Sequence, residues 1–136
     1  PQDTAAPESA APPPEVPGRL LEAYNAALMQ MKDRDYALVE AFIAQGVADW
    51  SAMVAEGKTT PDDKGRLVSE YLAKAGVLEK QMDASFDELM AVIKKQLTEL
   101  GVDPNPITEG YRAEYETIKQ TNKDMLLDRL MAEIKK

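Results

Sequence analysis

The stretch "LVSEYLAKAGVLEKQMDASFDELMAVIKKQLTEL", residues 67–100, decides the fold. Its apolar stripe runs Leu67, Tyr71, Ala75, Leu78, Met82, Phe86, Leu89, Ile93, Leu97, Leu100. The steps are 4, 4, 3, repeated along the whole stretch. That is a period of ~3.67 residues, a helical spacing rather than the alternation of a strand. A left-handed supercoil needs ~3.5, so a nearly straight helix with one continuous apolar face is expected. At ~1.5 Å per residue, a helix from Pro61 to Leu100 spans roughly 60 Å.

Two punctuation sites bound this segment. The first is "EGKTTPDDKG", residues 56–65. Gly57 suits the left-handed position after a helix end. Thr60 suits an N-cap and Pro61 the first helical position. Asp62 and Asp63 then lie at the positive end of the next helix dipole. The second is "LGVDPNPITEG", residues 100–110, where Gly101 ends one helix and Asn105-Pro106 opens another.

The preceding segment carries two stripes, Leu21, Tyr24, Leu28, Met31 and then Leu38, Phe42, Ile43, Val47, Trp50, Met53, Val54. "KDRD", Lys32 to Asp35, separates them and puts Asp35 where the pattern wants an apolar residue. No Gly or Pro marks a break there, so one long helix is expected. The alternative is four helices with a break near Lys32–Asp35. The last segment carries Ile107, Tyr111, Tyr115, Ile118, Met125, Leu126, Leu130 and Ile134, with Asn122 on the same stripe as a candidate register residue. Short connections make neighbours antiparallel. The expected fold is all-α, an elongated antiparallel up-down-up three-helix bundle over residues 19–136.

Residues 1–18 read differently. Six of the nine prolines fall before Gly18, among Ala, Glu, Ser, Asp and Gln. Such a segment buries too little apolar surface to offset its ordering entropy, so a disordered Pro/Ala-rich tether is expected. Its composition is similar to the linkers of bacterial envelope lipoproteins. That resemblance implies an extracytoplasmic place, in the periplasm or cell envelope, with a lipid anchor upstream. Removal of an initiator Met before Pro1 would suit a cytoplasmic protein equally well.

Composition excludes much chemistry. With no Cys and no His, the chain holds no disulfide, thiol nucleophile, imidazole ligand or Ser-His-Asp triad. The acidic turn at Thr60–Asp63 does not match a calcium loop, and capping accounts for it. No cofactor, metal or catalytic residue is expected, and the chain reads as a non-enzyme. A net charge of -8 argues against nucleic acid and anionic lipid, and suits a basic partner. No apolar run reaches the ~20 residues of a membrane span.

Trp50, on the apolar stripe, reads as a core anchor. Val68, Leu72 and Met90 on the second helix, with Leu127 and Met131 on the third, lie off the main stripes and form the candidate partner surface. The expected function is a helical protein-interaction or structural subunit, binding a protein partner or a second copy. The alternatives are a carrier or chaperone that holds an apolar ligand within the bundle, and a cytoplasmic coiled-coil scaffold.

Overall fold

The computed structural model describes residues 15–135. It contains three helices, α1 (Gly18–Ala55), α2 (Pro61–Glu99) and α3 (Asn105–Ile134), and no strand among the described residues. Residues 1–14 of the expected tether lie outside the described residues. Residues 15–18 depart from that expectation. Val16 is half-buried against the core, and Pro17 accepts the Leu21 N–H at 3.0 Å, so the packed region begins ahead of residue 18.

Tyrosine hydroxyls set the direction of the helices. Tyr24 near the start of α1 donates to Gln96 near the end of α2 at 2.8 Å. Tyr71 near the start of α2 donates to Asp49 near the end of α1. The two helices are therefore antiparallel. Tyr111 of α3 donates to Asn25 of α1 at 2.6 Å, and Tyr115 of α3 to Asp83 of α2 at 2.6 Å. α3 thus runs parallel to α1, and the bundle is up-down-up.

Both connections use the same device. Gly57 and Gly101 have φ of 75° and 77°, a left-handed conformation that glycine adopts without steric cost. The Lys58 N–H returns to Met53 at 2.8 Å, and the Val102 N–H to Leu97 at 2.9 Å, which satisfies carbonyls that the helix ends leave free. The second return buries Val102 in the core. It also lifts Leu100 out of the expected stripe, since Leu100 is the C-cap and lies exposed.

The cap of α2 is as expected. The Thr60 hydroxyl accepts from the Asp63 N–H, and the Asp63 carboxylate accepts from the Thr60 N–H, both at 3.2 Å. These hydrogen bonds hold the Asp63 carboxyl below its ordinary range. The start of α3 is different. Asn105 is inside the helix rather than capping it, and its N–H is taken by the Asp103 carboxylate at 3.0 Å.

α1 is continuous through Lys32–Asp35. Asp35 stays on the buried face of the helix, only 4% exposed. By length and composition alone, α1 is long and apolar enough to cross a membrane. In this structure the helix packs as one side of the bundle.

The core divides in two along the bundle axis. One end holds a single cluster built on Tyr24, Leu28, Met31, Phe86, Met90, Ile93, Leu97 and Tyr115. The other holds two smaller clusters, one on Trp50, Leu67, Tyr71, Leu130 and Ile134, the other on Val39, Ile43 and Leu126. Between the two ends lies a polar layer of Asp35, Asp83 and Lys119. α1 and α3 make the closest pair. Their approach centres on Gly46, where an added Cβ would meet the Leu130 Cδ1 at 2.6 Å.

Candidate functional site

α2 presents Ala75 and Gly76 where large residues stand farther along the helix. Small side chains leave its neighbours unfilled space. The result is a cleft of about 200 Å³ between α2 and α3. Leu72, Ala75, Gly76, Leu78 and Met82 form one wall, and Asn122, Leu126 and Leu127 the other. Val39 of α1, fully buried, is its floor, so the cleft opens from solvent directly onto the core.

The five residues of the expected partner surface separate here. Leu72 and Leu127 are brought together on opposite lips of the cleft, 51% and 37% exposed. Val68 is half-buried against the Trp50 cluster. Met131 is half-buried and does not line the cleft. Met90 does not belong to a surface at all. It is 3% exposed and packs in the Phe86 cluster, because in this turn the buried face passes through Met90 while Leu89 is half-buried beside it. Trp50 is buried, with the Lys64 ammonium 5.7 Å from its ring centroid.

Charged groups cross one end of the cleft. Glu79 of α2 meets Lys123 of α3 at 3.2 Å and Lys119 at 3.3 Å. Lys119 also reaches Asp83 at 3.1 Å and Glu116 at 3.4 Å. Its hydrogen bond to Lys123, followed by that to Lys119, holds the Glu79 carboxyl below its ordinary range, although partial burial opposes this. Below the polar clasp, Tyr115 stacks on Phe86 with centroids 4.2 Å apart. Burial, then the hydrogen bond to Asp83, pushes the Tyr115 hydroxyl far above its usual range, so it stays protonated and donates.

Two polar side chains in this region are not fully satisfied. One Asp35 carboxylate oxygen has no hydrogen-bond partner, and its nearest cation is Arg34 of the same helix at 3.7 Å. Burial raises the Asp35 carboxyl above its ordinary range; Arg34 opposes that rise and the Asp83 charge adds to it. Asn122, 8% exposed, lines the cleft and hydrogen-bonds to no described residue.

Sequence reading missed the cleft itself. Its signal was the pair Ala75-Gly76, small residues at the point where the stripe crosses the middle of α2. No cluster of three or more metal-ligating side chains occurs among the described residues. Comparison with known proteins adds no identity: no protein-family model, curated protein or solved structure matches the chain.

Proposed function

We propose that this chain is a non-enzymatic interaction module, and that the α2–α3 cleft receives an apolar anchor side chain from a protein partner. One observation carries the reading. Leu72 and Leu127 stand exposed on facing helices, on either side of a cleft whose floor is core. Covering the exposed part of each leucine contributes roughly 1 kcal/mol at ~25 cal/mol per Å². Anchors that fill such pockets carry much of the binding energy in protein interfaces. The net charge of -8 favours a partner segment with Lys or Arg beside its anchor.

Volume argues against the carrier alternative. Pockets for drug-sized ligands run to ~300–1,000 Å³, above the size of this cleft. The proposed place of action, the cell envelope, rests on the composition of residues 1–18, and fractionation of the native host tests it.

Leu72→Glu and Leu127→Glu each put a charge on one lip of the cleft. Both variants should keep the parent's circular dichroism spectrum and lose a partner that the parent captures by cross-linking. Retention of that partner by both folded variants moves the interface elsewhere. A monomeric parent that cross-links to no protein, yet takes up an apolar dye in the cleft, makes the carrier reading the better one.

A further inference from the structure

We infer that the cleft is shaped for an indole, presented as a tryptophan side chain of the partner, with Asn122 as the group that recognises its N–H. The inference rests on the interaction-module reading and names the chemistry of the anchor. Volume comes first. An apolar cavity of ~150 Å³ holds a benzene ring, so about 200 Å³ has room for a bicyclic one. The walls supply the contact such a ring needs: Leu72, Leu78, Met82, Leu126 and Leu127 around a Val39 floor.

Asn122 comes second. Asparagine in a helical core commonly sets register by bonding a partner on a neighbouring helix. Here it bonds to no described residue, while it lines the cleft and is nine-tenths buried. Solvent in the cleft reaches this amide, so an occupant that displaces that solvent has to replace its hydrogen bond. An occupant with a hydrogen-bonding edge does so, and a purely hydrocarbon occupant does not. Indole carries one donor and no acceptor, which the Asn122 carbonyl oxygen matches. The other polar groups at that end, Glu79 and Lys123, are already committed to each other.

The test uses the chain with free indole and 1-methylindole as probes, followed by methyl and amide NMR. Indole should shift the methyl signals of Val39, Leu72, Leu126 and Leu127 with millimolar affinity, because a side chain alone supplies only part of an interface. 1-Methylindole should bind about two- to tenfold more weakly, the worth of one neutral hydrogen bond. Asn122→Leu should abolish that preference. Gly76→Leu, which fills the cleft from the opposite wall, should abolish binding of both probes. Equal affinity for the two probes, or a preference that survives in Asn122→Leu, overturns the role of Asn122. No shift with either probe overturns the indole assignment and leaves partner capture by Leu72 and Leu127 to be judged by its own experiment. Submicromolar affinity for free indole would overturn the protein source and make the ligand a free small molecule.

Discussion

The two ends of the bundle use the same three helices and pack differently. Around Phe86 all three helices contribute large side chains to one cluster, and the Phe86–Tyr115 stack fills its centre. Around Leu126 the core is split into two clusters, and the α2–α3 seam stays open over Val39. Three small residues account for the contrast. Gly46 lets α3 settle onto α1 through Leu130, while Ala75 and Gly76 reach too short a distance to follow it. A bundle can therefore keep a continuous helical pattern and still leave an open cleft, by setting small residues on the two helices that flank a third. The polar layer at Asp35, Asp83 and Lys119 lies where the two modes of packing meet.

The largest test of the contrast is truncation of each end. Phe86→Ala should cost about 3–5 kcal/mol in urea unfolding, because its site is filled on every side. Leu126→Ala should cost about 2–3 kcal/mol, since its neighbours already border open space. Equal costs would mean that the two ends are equally packed.

The close approach is the next point to break. Gly46→Leu drives a side chain into Leu130 and should cost about 1–3 kcal/mol. Gly76→Leu projects into the cleft and should not destabilise the chain, since a good helix former replaces an interior glycine without a clash. A destabilisation of similar size at both positions would remove glycine placement as the cause of the cleft.

The polar layer between the ends makes a prediction in pH. The folded Asp35 carboxyl lies above its ordinary value of 3.8, so between that value and its raised folded value the native chain binds more protons than the unfolded one. Falling pH therefore adds stability from Asp35, and rising pH through the folded value removes it. Arg34 from α1 opposes the rise and the Asp83 charge from α2 adds to it. Asp35→Asn should stabilise the chain at pH 7 by about 1–2 kcal/mol, and the gain should vanish once the parent carboxyl is protonated. Glu79 acts with the opposite sign: its contribution is present above 4.5 and is lost as pH falls through its lowered folded value. The difference between parent and Asp35→Asn isolates the Asp35 term. A gain independent of pH would show that Asp35 is not strained by its charge.

The smallest effect sharpens the comparison from the cleft side. Gly76→Ala meets no atom within 4 Å and removes a flexible residue from a helix interior. It should raise stability by about 0.5–1 kcal/mol. Loss of stability there would mean that the wall is already tight.

Much of this architecture is local chemistry, and local chemistry is legible in a sequence. The 4, 4, 3 spacing of Leu67 to Leu97 makes one apolar face whatever lies opposite it. Gly57, Thr60, Pro61 and Gly101 act through their own backbone angles and neighbouring N–H groups, so the ends of α2 fell where those residues stand. The same period misplaced Met90 and Leu100 because it treats the helix as having one line of buried residues. A helix between two neighbours buries a broader face, and that face turns with the path of α3. The pairing of Leu72 with Leu127 was beyond the sequence for a related reason: the residues are far apart in the chain, and the width of the seam between them depends on how α3 packs against both other helices. Asn122 shows the division within one residue. Its place on a buried stripe followed from spacing. That its amide would face a cleft with no partner depended on three helices meeting, because hydrogen-bond satisfaction is decided by what stands across the interface.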